Sequence, residues 1–350
     1  MPAIEIRSRD EGHRFEVDSG ERILYGGLRS GLDLPYECAT GTCGSCKARL
    51  LDGELEELWP DAPGKDLLKP NSGDFLMCQC VPKGSGAVTA EVSKPVARLQ
   101  ADAHAPGWAK GVVIQAPRYL THDVMAVDVQ LDRPVRFEAG QFMALEVADV
   151  PGTRGYSMVN YATETDRLAF VIKRKPGGGV SEWLFGGDRA GTPVRLFGPL
   201  GTALFRPEMD TNILCIAGGT GIAGIMSILQ RACDEQYFDN HRGDVFFGVR
   251  TPADAFYLDE LSTFSRKFPQ TLNITVAFSD QPADDAFKRK HGGIHFKEGF
   301  VHEVAGTAMA DRLQGLTAYL AGPPPAVEAS VRLLVMSRVS PANIRYDKFS

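Results

Sequence analysis

The cysteines are the residues of this chain whose spacing most directly indicates chemistry. Three lie in "CATGTCGSC", and a fourth follows a short apolar run in "FLMCQC". A Cys-x4-Cys-x2-Cys run with a distant fourth cysteine is a spacing that binds a [2Fe–2S] cluster through four thiolates. Gly41 and Gly44 allow the loop backbone to approach such a cluster closely. The predicted ligands are Cys38, Cys43, Cys46 and Cys78.

Two alternatives remain open for these cysteines. A structural zinc site usually pairs two short Cys-x-x-Cys knuckles, and this segment has only one. Cys80 competes with Cys78 for the fourth ligand position. The N-terminal part resembles plant-type ferredoxin domains, in which the last ligand follows a short apolar run, and this resemblance favours Cys78. Cys80, Cys215 and Cys233 are interpreted as small buried thiols.

A second motif, "RGYSM" at 154–158, combines a cation, an aromatic ring and a hydroxyl. A flavin dinucleotide needs a cation for its pyrophosphate, an aromatic face for its ring and hydrogen-bond donors near N5. Together with "GGGVS" at 177–181, the motif resembles the flavin-binding motifs of the ferredoxin–NADP reductase superfamily. The resemblance implies that FAD binds to Arg154, Tyr156 and Ser157, with Ser157 also catalytic. It further implies phosphate contacts from Gly178, Gly179, Val180 and Ser181.

The third motif, "GGTGIAG" at 218–224, follows a predicted strand and precedes a predicted helix. Its glycines formally match G-x-G-x-x-G, in which a pyrophosphate approaches a helix N-terminus. A standard dinucleotide fold has an acid at the end of the next strand, whereas "DVFFGVR" ends in Arg250. The motif instead resembles the nicotinamide-binding segment of the same superfamily, although Gly224 and Ala321 stand where relatives commonly have Pro and Cys. The nucleotide-binding residues that this resemblance implies are Gly218, Gly219, Thr220, Gly221, Arg250, Gly322 and Pro323.

Asp280 indicates which nicotinamide nucleotide binds. Relatives that prefer NADP tend to have a Ser-Arg pair after the strand that corresponds to "NITVAFS", whereas here Ser279 precedes Asp280. A carboxylate repels a 2′-phosphate and accepts a hydrogen bond from a free ribose hydroxyl, so NADH is expected. The basic run "KRK" at 288–290, interpreted as a solvated loop, is the feature that argues against this expectation.

The elements that must position these motifs change in character along the chain. "AIEIRS" and "RFEVDS" predict a hairpin, and a short helix follows in "ERILYGGLRSG". A linker is expected at 99–108, before short strands typical of a small antiparallel barrel. From about residue 211, apolar strands alternate with helices, which indicates a mainly parallel sheet. The chain is therefore expected to be a multidomain α+β and α/β protein.

Composition limits the classes of function. The chain has 350 residues and a formal net charge of −6, with scattered basic residues, which argues against nucleic-acid binding. The polar N-terminus and the lack of a long apolar run predict a cytoplasmic protein with reduced thiols and no membrane partner. No Cys-x-His pair or Glu-x-x-His pair indicates a Rieske or di-iron centre.

The order of the three motifs resembles the reductase components of bacterial multicomponent oxygenases, such as benzoate and naphthalene dioxygenases and soluble methane monooxygenase. The resemblance implies a β-grasp [2Fe–2S] ferredoxin domain at 1–98, an antiparallel β-barrel FAD domain at 107–207 and a parallel α/β NAD domain at 210–350. It also implies that Phe349, in "RYDKFS", covers the flavin ring and is a catalytic residue beside Ser157.

The implied function is electron transfer from NADH through FAD and the cluster to a partner oxygenase in aromatic hydrocarbon catabolism. The chain is expected to be a monomer on its own. The same electron route feeding a non-oxygenase enzyme, such as a deoxysugar dehydrase, is the alternative enzyme function. A module that merely holds a cluster is the alternative from another class.

Overall fold

The computed structural model of the chain describes residues 1–9, 11–99 and 104–348. The chain divides into two compact units. The first unit comprises Met1–Val112, Met143–Gly155 and Thr192–Leu200. The second comprises Val113–Phe142, Tyr156–Gly191 and Gly201–Ser350. No helix among the described residues is both long and apolar enough to cross a membrane.

The first unit begins with a mixed sheet packed on one short helix. In β1, alternate residues such as Ile4 and Ile6 are buried, as a half-buried strand requires. The sheet order is β2-β1-β7-β3-β5, with β1 and β7 parallel, and a separate pair joins β4 to β6. This is the β-grasp arrangement expected from the sequence. The elements are β1 (Ala3–Ser8), β2 (Glu11–Glu16), α1 (Ile23–Arg29), β3 (Lys47–Asp52), β4 (Leu55–Glu57), β5 (Asp74–Leu76), β6 (Cys80–Pro82) and β7 (Val88–Val92).

The next strands build a curled seven-stranded sheet. The neighbours β8 and β14, β9 and β10, and β10 and β13 pair antiparallel, as expected for the flavin domain. Met158, directly after β12, forms an antiparallel bridge with Phe170 of β13. The elements are β8 (Gly107–Val113), β9 (Arg118–Tyr119), β10 (Val124–Val135), β11 (Phe142–Val147), β12 (Arg154–Ser157), β13 (Thr165–Lys173), α2 (Gly179–Phe185) and β14 (Pro193–Leu200).

The rest of the second unit is a six-stranded sheet in the order β18-β17-β16-β15-β19-β20. All of its neighbouring strands are parallel, which confirms the expected α/β domain. The elements are β15 (Ile213–Gly218), α3 (Ile222–Asp234), β16 (Gly243–Val249), α4 (Leu258–Lys267), β17 (Leu272–Phe278), α5 (Asp285–Lys290), β18 (Ile294–Glu298), α6 (Val301–Ala308), β19 (Thr317–Gly322), α7 (Pro324–Met336) and β20 (Ile344–Lys348).

Two hydrophobic clusters cover the faces of this parallel sheet. Cys215 of β15 packs with α3 and α4 on one face, and the next residue, Ile216, packs with α6 and α7 on the other. Both faces are buried, which explains why these strands read as continuous apolar runs. Cys233 lies in the same cluster as Cys215, as the interpretation of a buried thiol expects.

Several expectations for individual elements were wrong. The second strand begins at Glu11, before the segment "RFEVDS" from which it was predicted. Gly107 and Trp108 are paired in β8 and do not belong to the linker. The "KRK" run is exposed as expected, but it ends helix α5, where Asp284 caps the first turn by accepting from the amide of Phe287.

Candidate functional site

The four predicted cluster ligands come together because two strands pair. Three of them lie in the loop between α1 and β3, which we call the cluster loop (residues 38–46). Lys47 of β3 is paired with Leu76 of β5, and the Met77 amide donates to the Cys46 carbonyl. This pairing brings Cys78 to the loop, with the Sγ atoms of Cys46 and Cys78 3.2 Å apart.

The sulfurs are arranged as two pairs. Cys46 pairs with Cys78, and Cys38 accepts a hydrogen bond from the thiol of Cys43. That bond, together with bonds from Thr42 and Thr40, lowers the pKa of Cys38 to about 4 although burial acts in the opposite direction. The amides of Thr40 and Thr42 lie 3.5 and 3.4 Å from the Cys38 sulfur.

Two pairs fit a two-iron cluster better than one metal ion. A structural zinc ion needs four ligands around one point, whereas each iron of a [2Fe–2S] cluster takes two protein ligands. The donor set and its pairing therefore fit the cluster.

Gly41 keeps the cluster loop close to the turn that carries Cys78. Its φ is +93°, and an ideal Cβ would lie 2.9 Å from Nε2 of Gln79. Gln79 is buried, and its Nε2 lies 3.6 Å from the Cys78 sulfur. Its Oε1 has no hydrogen-bond partner among the described residues. Gln79 was not predicted to take part, although it directly follows a predicted ligand.

The predicted flavin motif forms strand β12, with Ser157 buried and Arg154 and Tyr156 half-buried. The guanidinium of Arg154 lies 4.3 Å from the centroid of the Trp59 ring, and its Nη1 donates to the Thr153 carbonyl at 2.9 Å. Trp59 was not predicted to take part. Its ring contacts the cation that was predicted to bind the pyrophosphate.

The second predicted flavin segment, "GGGVS", is the start of helix α2, for which Gly178 is the N-cap. The first amides of a helix have no partner within it and favour anions. The hydroxyl of buried Ser181 accepts from the Lys175 amide at 3.1 Å and lies 3.3 Å from the Lys175 carbonyl. Ser181 therefore holds the turn that presents the amides of Gly179 and Val180.

The two glycine turns of the nucleotide motif meet at the carboxyl ends of β15 and β19. These strands are parallel neighbours, with Ala217 opposite Ala321. An ideal Cβ on Gly221 would lie 2.3 Å from the Ala321 carbonyl oxygen, so the turns touch through their backbones. The residues brought together are Gly218, Gly219, Thr220, Gly221, Gly322 and Pro323. Ligands of open α/β sheets bind at this edge.

Arg250 and Asp280 follow the adjacent strands β16 and β17 at the same edge of the sheet. The Asp280 amide donates to the Arg250 carbonyl at 2.9 Å. The Ser279 hydroxyl donates to the Asp280 carboxylate at 2.6 Å, which orients that exposed side chain. The structure thus places a cation and an anion side by side, with Asp280 held by a neighbour.

Ser157 lies in a small cleft of the second unit. Gly224, Ala321 and Asp347 also line this cleft. Gly224 and Ala321, at which the sequence was expected to differ from its relatives, thus line the same cleft as the predicted catalytic Ser157. Phe349, two positions after Asp347, lies outside the described residues, so its predicted contact with the flavin stays a prediction.

Comparison with known sequences defines the class of protein. Residues 6–83 match the 2Fe–2S iron–sulfur cluster binding domain, residues 112–205 the oxidoreductase FAD-binding domain and residues 215–332 the oxidoreductase NAD-binding domain. The chain is thus an oxidoreductase with domains for a [2Fe–2S] cluster, FAD and a nicotinamide dinucleotide.

Whole-chain relatives identify the family. The chain is 34% identical over 339 residues to the ferredoxin–NAD(P)(+) reductase CarAd of Metapseudomonas resinovorans, covering 95% of each chain. It is 31% identical over 350 residues to the xylene/toluene monooxygenase electron transfer component XylA of Pseudomonas putida, covering 99% of this chain and 94% of the relative. The solved ferredoxin reductase in carbazole 1,9a-dioxygenase superposes with a TM-score of 0.82 at 32% identity, covering 99% and 98% of the two chains. The chain belongs to the family of reductase components of multicomponent oxygenases.

Proposed function

We propose that the chain carries electrons from NADH through FAD and the [2Fe–2S] cluster to a partner oxygenase. One observation carries the proposal: a single chain combines paired cysteine sulfurs, the β12 flavin motif and two glycine turns that meet at a parallel-sheet edge. When bound, the flavin accepts two electrons together as hydride and releases them singly, which a one-electron cluster requires. Each NADH thus supplies two single electrons, and one proton is released to solvent.

The cysteine pairs have separate roles in this proposal. Cys38 and Cys43 bind one iron, and Cys46 and Cys78 bind the other. The amides that lie within 3.5 Å of the Cys38 and Cys43 sulfurs stabilise the charge on the thiolates. Because Cys38 and Cys43 are only half-buried, their side of the cluster is the side that a partner can approach.

Most of the flavin residues bind FAD, and one residue, Ser157, acts at the reactive atom N5. Arg154 binds the pyrophosphate while the Trp59 ring holds its guanidinium, and the α2 amides bind phosphate oxygens. Tyr156 packs on the flavin ring. Ser157 donates a hydrogen bond near N5, at the cleft where the nicotinamide must arrive, and Phe349 covers the ring.

The glycine turns bind the nucleotide, and Asp280 selects it. The backbone amides at Gly219–Gly221 and at Gly322 face the pyrophosphate at the edge of the sheet. Asp280 accepts from the adenosine ribose hydroxyl and repels a 2′-phosphate, which favours NADH. Arg250, exposed beside it, contacts the phosphates.

The proposed partner is the terminal oxygenase or an intermediate ferredoxin. CarAd and XylA carry names of reductase and electron-transfer components, the latter of a monooxygenase system. These names favour an oxygenase over a deoxysugar dehydrase as the electron acceptor. We also propose that the chain works in the cytoplasm as a monomer, since one copy contains all three domains. Reconstitution with an oxygenase that co-purifies with it would test the partner.

Replacement of one ligand tests the electron route. In the wild type prepared without oxygen, we expect about two irons and two sulfides for each flavin. Cys46→Ser should lose cluster absorbance yet keep NADH-dependent bleaching of the flavin, whereas Cys80→Ser, a matched buried thiol outside the ligand set, should keep both. Zinc in place of iron and sulfide in the wild type would disprove the cluster. Loss of flavin bleaching in a folded, flavin-loaded Cys46→Ser protein would disprove the sequential route.

A further inference from the structure

The hydroxyl of Tyr25, on helix α1, joins two segments that are far apart in the chain. It lies 3.1 Å from the Ala39 carbonyl and 2.8 Å from the Thr153 Oγ1. A carbonyl only accepts, so Tyr25 donates its one proton to Ala39 and accepts from Thr153. Both Tyr25 and Thr153 have no exposed surface. A tyrosine hydroxyl in such a place is satisfied only while both segments stay where they are.

These two segments belong to different redox sites. Ala39 lies in the cluster loop, directly after Cys38, and its φ of 55° is a left-handed conformation that a non-glycine residue adopts only when its surroundings hold it. Thr153 directly precedes Arg154, the first residue of flavin strand β12. All of these residues lie in the first compact unit.

The Tyr25 ring is fixed on several sides. It stacks on Phe197 with ring centroids 4.2 Å apart and planes 8° apart, and Trp108 meets it edge-on at 5.6 Å. The Arg22 guanidinium lies 5.3 Å from the ring centroid and is paired with Glu146 at 3.4 Å. With the ring held in this way, the hydroxyl has little freedom to move away from its two partners.

We propose that Tyr25 is a positioning residue for electron transfer, whose hydroxyl ties the cluster loop to the flavin-binding strand. The inference rests on the proposed function, in which each electron that leaves the reduced flavin enters the cluster. Tyr25 neither gains nor loses an electron or a proton in this step. Its effect is to hold the Cys38 side of the cluster at one distance and orientation from β12.

Tyr25→Phe tests the role because it removes the two hydrogen bonds and keeps the ring contacts. In single-turnover mixing with NADH, flavin bleaching should keep its wild-type rate. The later bleaching of the cluster should slow several-fold, up to about tenfold, the factor expected if the loop loses hydrogen bonds of ordinary strength. Amide hydrogen exchange at Thr40 and Thr42, whose amides face Cys38, should speed up by a similar factor.

Two further variants separate this role from a general loss of stability. Tyr237→Phe is the matched control, since the buried Tyr237 hydroxyl bonds to the amide and carbonyl of Thr211 and to neither redox segment. It should leave cluster bleaching and cluster-loop exchange unchanged. Thr153→Val keeps the side-chain shape and the Tyr25–Ala39 bond. It should slow cluster bleaching as Tyr25→Phe does, and the double variant should be no slower than Tyr25→Phe.

The outcomes distinguish this inference from the proposed function. If NADH bleaches the flavin of the wild type but never its cluster, the proposed electron route is wrong. If the wild type completes both steps and Tyr25→Phe matches it in cluster bleaching and loop exchange, the positioning role is wrong. If Tyr25→Phe does not retain its cluster, Thr153→Val provides the test instead. Cluster bleaching at the wild-type rate in Thr153→Val would then overturn the inference.

Discussion

Gly221→Ala should separate the two turns that form the proposed nucleotide site. The φ of Gly221 is −59°, so alanine suits its backbone conformation. The added Cβ would lie 2.3 Å from the Ala321 carbonyl oxygen and 2.7 Å from the Gly322 nitrogen, both of them backbone atoms that cannot rotate away. Overpacking of this kind costs about 1–3 kcal/mol. The unfolding temperature should fall by about 2–4 °C for each kcal/mol.

Gly224→Ala is the matched control, three residues further along the chain. Its ideal Cβ would lie 3.6 Å from the Ser157 Cβ and 3.7 Å from the Gly140 carbonyl oxygen, which are ordinary contacts. Since glycine inside a helix costs about 1 kcal/mol relative to alanine, this variant should be as stable as the wild type or more stable. Thermal unfolding followed by circular dichroism measures both changes, and the KM for NADH should rise in Gly221→Ala. Equal unfolding temperatures for Gly221→Ala and the wild type would refute the close approach of the turns.

Three further predictions concern the other sites. Asp280→Arg removes a repulsion of about 1–4 kcal/mol with a 2′-phosphate, so the kcat/KM ratio of NADH over NADPH should fall at least about fivefold; equal ratios in the wild type and the variant would show that Asp280 is only a solvated side chain. Trp59→Leu removes the ring beside the Arg154 guanidinium, which is proposed to bind FAD, and should weaken FAD binding about two- to thirtyfold by titration of the apoprotein, with Trp59→Phe in between; unchanged affinity would exclude the role of the ring. Gly41→Ala and its control Gly84→Ala both place a side chain at positive φ, but only the Cβ at position 41 meets other atoms within 4 Å. Only Gly41→Ala should therefore lower the iron content of the protein. Equal iron contents in the two variants would contradict the packing described for the cluster loop.

The prediction of the cluster ligands rests on information that is mostly local. A loop that carries three thiolates at fixed spacing with two glycines leaves few other interpretations of the chemistry. Most strands of the parallel sheet were also predictable, since strands that are buried on both faces are continuous apolar runs in the sequence. Strands β12, β18 and β20 were missed because they are short and only partly buried, and such segments have no clear periodicity.

Resemblance contributed what local pattern did not. "RGYSM" is too short to indicate a flavin by itself, and the glycine motif before α3 formally matched a different dinucleotide fold. Arg250 stands at the end of β16, where a standard dinucleotide fold has an acid. This difference favoured the nicotinamide-binding segment of the reductase superfamily over the standard dinucleotide fold. Only the pairing of β16 with β17 then showed that Arg250 and Asp280 are neighbours.

The sequence by itself determined the iron–sulfur motif and the parallel sheet, and its resemblance to a known family determined the other domain types and their cofactors. The tertiary structure alone decided which distant residues support them. In the sequence, Tyr25 is one of several apolar residues of a short predicted helix. In the structure, the partners of its hydroxyl lie 14 and 128 positions away along the chain. Trp59 likewise reads as a loop residue until β12 brings Arg154 over its ring. A buried polar group needs a hydrogen-bond partner, and that partner can come from any segment that the fold brings close. A local sequence pattern therefore does not predict which residue it is.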